Sequence, residues 1–175
     1  MRLLALFFAL WCSSLSFAAG LVHRDALNGR VSILAPENFG PMPAKLLELK
    51  YPSSRRPTEV LSDDTGRVTL AFNHTNNALQ PYELKEAHVV LSQSFHNLYP
   101  SAEWIRDEVI EQNGSVFIVF EMITPAIDTK IHNIMYATSV SGRMLMVAFN
   151  TTTDYSKKWL PTGKAIMSSL RVRPQ

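Results

Sequence analysis

Asp128, Lys130 and His132 recur two residues apart in the segment Asp128-Thr-Lys-Ile-His132. On an extended backbone, alternate residues project from one side, so the spacing predicts a shared face. An imidazole beside a carboxylate could serve a small hydrolase, and the same polar groups could form a binding edge. Arg55 and Arg56, held between Pro52 and Pro57, place adjacent guanidinium groups on a restrained loop that suits an anion or an acidic partner. Arg55, Arg56, Asp128, Lys130 and His132 are therefore the candidate binding residues. Each has a plainer explanation: a solvated loop for the arginines, and a surface ion pair for Asp128 and Lys130.

Other chemistry lacks its usual spacing. The five histidines form no His-x-x-x-His or His-x-His pair, and no Gly-x-Ser-x-Gly elbow or Gly-rich phosphate loop occurs. His74 and His132 fall on expected strands and could meet in space. Asp63-Asp64 precedes Thr65-Gly66, which reads as a solvated turn. The chain is expected to have no catalytic residue, no metal site and no cofactor, and not to be an enzyme.

The elements that must position the candidates are unusually apolar. Ser115–Thr124, Lys130–Val140 and Arg143–Asn150 read as three strands. In the first, Val116, Ile118, Phe120 and Met122 fall on one face and Phe117, Val119 and Ile123 on the other. Strands apolar on both faces need cover on both faces, which predicts helices above and below a sheet. Asn113-Gly114 and Ser141-Gly142 are two-residue turn signals that imply antiparallel pairing. Met135, Met144 and Met146 would fill the space between sheet and helix, or line a pliable apolar pocket.

Residues 1–18 carry one charge, Arg2, then an apolar run ending in Ser16 and Ala18, the pattern of a secretory signal peptide. Residues 19–175 would form one domain. Cys12, the only cysteine, lies in the leader, so neither a disulfide nor a thiol nucleophile is expected beyond it. A cysteine-free exported chain of this length points to the periplasm, with secretion as the alternative. Without Arg2 the balance is 16 basic against 15 acidic residues, which leaves no nucleic-acid footprint. No transmembrane segment is expected after the leader.

Along the chain, Arg30–Ala35 reads as a strand and Ala44–Lys50 as a short helix behind Pro43. Thr58–Ser62 and Arg67–His74 read as a hairpin. Over Pro81–Leu98, the stripe Leu84, Ala87, Leu91, Phe95 and Leu98 predicts the longest helix, with His88 at its flank. Glu103–Glu111 follows as a strand. A final helix capped by Thr153 or Asp154 would carry Trp159, Ile166 and Leu170, with Pro161 in its first turn or at a kink.

The strand running into Pro36, the Ser141-Gly142 hairpin, Arg143–Asn150 and the closing Ala165-Ile-Met-Ser-Ser-Leu170 resemble the PsbP/DcrB-like superfamily. The resemblance implies an α+β fold: a single-domain α/β/α sandwich around an antiparallel sheet of about six or seven strands. It also implies binding or assembly rather than catalysis. The expected role is an exported, non-enzymatic binding or assembly module of the bacterial envelope whose partner is another envelope or secreted protein. The alternatives are a carrier for an apolar small molecule or lipid, and then a small hydrolase.

Overall fold

The computed structural model describes residues 20–52 and 56–173. The expected leader and Arg55 lie outside the described residues. Strands β1 (Leu21–Ala26), β2 (Val31–Pro36) and β3 (Gly40–Pro41) precede helix α1 (Ala44–Lys50). Then come β4 (Glu59–Ser62), β5 (Val68–Ala78), a single 3-10 turn (Pro81–Glu83) and α2 (Leu84–Leu98). The chain continues through β6 (Glu103–Gln112), β7 (Ser115–Pro125), β8 (Lys130–Val140), β9 (Arg143–Thr152), α3 (Thr153–Ser168) and β10 (Arg171–Val172).

Seven strands form one sheet in the order β3-β4-β5-β9-β8-β7-β6, with every pairing antiparallel. The fold is the expected α+β sandwich. Asn113-Gly114 and Ser141-Gly142 adopt positive φ at both residues, as primed two-residue turns require. That geometry fixes the β6–β7 and β8–β9 registers.

The first strand departs from expectation. It joins β1 and β10 in a separate three-stranded sheet, order β1-β2-β10, instead of extending the main one. β1 itself was not expected. Its signal is the Asn28-Gly29 turn, where both residues take positive φ. β3 and β10, two residues each, are too short to show a period.

One face of the main sheet carries Leu70, Phe72, Phe117, Val119, Ile134, Tyr136, Val147 and Phe149. It packs against Trp159, Ile166 and Met167 of α3 and against Val31, Ile33 and Ala35 of the small sheet. Burying each such side chain contributes about 1.5–3 kcal/mol. The other face carries Ile118, Phe120 and Ala137 beneath Leu84, Ala87, Leu91 and Phe95 of α2. Leu98, the last residue of the expected stripe, is 63% exposed. α1 covers only a corner, placing Leu46 and Leu47 on Val60 and Ala71.

α3 runs unbroken through Pro161, which lies mid-helix rather than in the first turn. Thr152 occupies the N-cap position without a side-chain capping bond. The far end of α3 is held from the β6–β7 turn. Gln112 Nε2 donates to the carbonyls of Met167 and Leu170, and Asn113 Nδ2 to those of Ser168 and Leu170. Gly163 lets α3 sit directly on the sheet, because a Cβ there would lie 2.3 Å from the Phe149 ring. Gly163→Ala should therefore lower stability by about 1–3 kcal/mol through overpacking, read as a drop in urea midpoint at unchanged m-value.

Candidate functional site

α2 starts against the β8–β9 hairpin, where the Leu79 N–H donates to Gly142 O and Ser139 Oγ donates to Leu79 O. It ends near the start of edge strand β6, where His96 stacks on Trp104 with ring centroids 3.9 Å apart. The helix thus crosses its face of the sheet and leaves the opposite corner of β5, β9 and β8 without helical cover.

At that corner Thr69, Asn150 and Asn133 stand directly opposite one another across three adjacent strands. Asn150 Nδ2 donates to Thr69 Oγ1 at 3.3 Å, and Asn133 Nδ2 donates to Thr124 Oγ1 at 3.0 Å. With Ile131 they floor an open groove of about 970 Å³. Lys50, Tyr51 and Arg67 form one wall, Ala126–Thr129 of the β7–β8 turn the other, and Thr152, Asp154 and Tyr155 close it near the start of α3. Burial pushes the Tyr51 phenol up, against a hydrogen bond with Thr69 that pulls it down, so it stays a neutral donor at physiological pH. Burial likewise lowers Lys50, and the field of Asp63 only partly offsets this. An Arg67 guanidinium nitrogen donates to the Tyr155 hydroxyl, and the guanidinium carbon lies 5.5 Å from that ring's centroid.

The candidate residues do not converge. Asp128 is exposed on the groove rim. Lys130 is taken by Glu103, Nζ to Oε1 2.5 Å. His132 points to the α3 face, where it is 4% exposed and its Nε2 donates to Glu121 Oε1 at 2.9 Å. Lys164 Nζ lies 3.5 Å from the same oxygen. The shared face expected of all three fails because Asp128 belongs to the turn, before the strand alternation begins. Arg56 Nε donates to Tyr51 O at 2.8 Å, so it braces the segment behind the groove wall. His74 is engaged by the Val140 carbonyl and by Arg143, away from His132. Asn133, Asn150 and Thr69 were missed because polar residues inside strands look like ordinary surface positions until their register is known.

Glu121 is 1% exposed, and its Oε2 has no hydrogen-bond partner among the described residues. Removing His132 would leave a less compensated buried carboxylate. His132→Leu should cost about 3 kcal/mol in urea unfolding at neutral pH.

A second polar cluster fastens α2. His88, Ser92 and His96, four residues apart on one helical stripe, all reach Asp107 of β6. Ser92 Oγ donates at 2.6 Å, His88 Nε2 at 2.6 Å and His96 Nε2 at 3.0 Å. Burial pushes the Asp107 carboxyl up, but these bonds together outweigh it and hold the group below its ordinary range. Stability from this depressed carboxyl is present above the unfolded value of about 3.9 and is lost as pH falls through the folded value. Asp107→Asn should therefore lower the urea midpoint at pH 7, and the gap to the parent should close as pH falls below about 4.

Met135, Met144 and Met146 pack beneath α2 and do not line the groove. No helix among the described residues is long and apolar enough to cross a membrane.

No protein-family model and no curated protein sequence matches the chain. Its likeness to known proteins lies in the fold, which is PsbP-like. Cyanobacterial PsbP (CyanoP) of Synechocystis sp. PCC 6803 superimposes with a TM-score of 0.61 at 15% identity, over 89% of this chain and 94% of its own. The Saccharomyces cerevisiae Ran-binding protein Mog1p gives 0.54 at 8%, over 89% and 96%. LpqN of Mycobacterium tuberculosis, involved in cell envelope biogenesis, gives 0.52 at 11%, over 89% and 91%.

Proposed function

We propose that the chain is an exported, non-enzymatic binding module of the bacterial envelope, and that it docks a segment of a protein partner in the groove beside α1. The observation that carries this reading is the Asn150–Asn133 pair, set across two central strands beyond the reach of α2 and left partly exposed, with the buried Thr69 next to it. The Asn133 amide N–H groups are spent within the sheet, but the Oδ1 oxygens of Asn133 and Asn150 can accept from peptide N–H groups, and the second amide N–H of Asn150 can donate to a peptide C=O.

Several features support the reading. The apolar leader over residues 1–18 would direct the chain out of the cytoplasm. The similar folds include a protein named for binding another protein and one named for a role in the cell envelope. Asp128, on the rim, is the candidate residue best placed to touch such a partner.

A photo-crosslinking residue at position 150 should give one discrete protein adduct in cells, while one at Gln93, on α2, should give none. Asn133→Ala/Asn150→Ala should weaken binding of that partner at least tenfold under conditions where circular dichroism shows the variant still fully folded. Equal crosslinking from both positions, or from neither, would overturn the assignment.

A further inference from the structure

We propose that the partner segment enters the groove extended and carries a carboxylate that seats between Lys50 and Arg67. This rests on the groove being the docking surface and adds the chemistry of what docks there.

The two cations come from different elements, the end of α1 and the residue before β5, yet they line the same wall. Neither is within 4 Å of a carboxylate among the described residues, so no close acid within the chain neutralises either charge. Arg67 is held by its hydrogen bond to the Tyr155 hydroxyl, so little order remains to be imposed when an anion arrives. Lys50 bears a burial cost that Asp63 offsets only in part, and an incoming carboxylate would offset more of it. The Tyr51 hydroxyl on the same wall can donate to an oxygen.

The opposite wall has the reverse sign. Asp128 stands on the β7–β8 turn, between two and three strand spacings from β5, or about 12 Å at about 4.8 Å per strand. An extended chain covers that distance in about four residues at about 3.3 Å each. Asp128 disfavours acid at the end away from Lys50 and Arg67, so the charge pattern also sets the direction in which the segment lies.

A random heptapeptide library displayed on phage and panned against the purified protein tests this. Selected peptides should share Asp, Glu or a free C-terminus at one position, and neutralising that group should weaken binding at least tenfold by fluorescence anisotropy. Amidated and free-acid forms of one selected peptide separate a chain end from a side chain. Lys50→Glu/Arg67→Glu, checked for an unchanged urea midpoint, should select Lys or Arg at that position instead. Lys50→Gln/Arg67→Gln serves the same purpose if the charge reversal does not fold. Selected peptides without an acid, still lost on Asn133→Ala/Asn150→Ala, would overturn the carboxylate assignment and leave the groove standing. A library yielding nothing above the uncoated support would overturn both.

Discussion

The whole arrangement depends on three adjacent strands, β7, β8 and β9, that are apolar on both faces. A sheet of this kind cannot leave either side to water, because each exposed large side chain forfeits about 1.5–3 kcal/mol of burial. The chain meets the demand asymmetrically. One face receives α3 and a small second sheet, joined in a single cluster with the fully buried Phe72, Phe117 and Phe149. The other receives one long helix that crosses it, and one short helix at a corner.

That asymmetry creates the groove. Where α2 fails to reach, the inward-facing positions change from Met144, Met146 and Ala137 to Thr69, Asn133 and Asn150. The change matches the cover: apolar residues sit under the helix, and polar ones lie where water or a partner enters. Tyr51, just past the end of α1, and Tyr155 of α3 flank the opening, so its shape depends on α1 and α3 keeping their places.

Polar contacts and close packing seat α2 and α3. α2 is fastened by one carboxylate, Asp107, that takes three hydrogen bonds from successive turns of the helix. α3 is fixed by close approach at Gly163 and by side-chain amides of the β6–β7 turn on its last carbonyls. Beneath it lies the buried pair His132 and Glu121. Such a pair adds little net stability but penalises any packing that would separate its members. His132 therefore has a structural role, which the histidine count alone could not distinguish from a catalytic one.

Local patterns in the chain were enough to determine β2 and β4 to β9, the β6–β7 and β8–β9 turns, the three helices and the need for two covered faces. These follow from side-chain period and from turn chemistry, which act within a few residues. Tertiary structure decided the rest. Register across strands placed Thr69, Asn150 and Asn133 in one row, although more than 60 residues separate Thr69 from Asn133 along the chain. The path of α2 decided that Asn133 and Asn150 in this row stay partly exposed. The spacing of Asp128, Lys130 and His132 promised one face, but the β7–β8 turn sent Asp128 to the groove and β8 sent His132 into the core. Residue spacing records what a backbone segment can present, whereas the neighbour each side chain meets depends on segments far away in the chain.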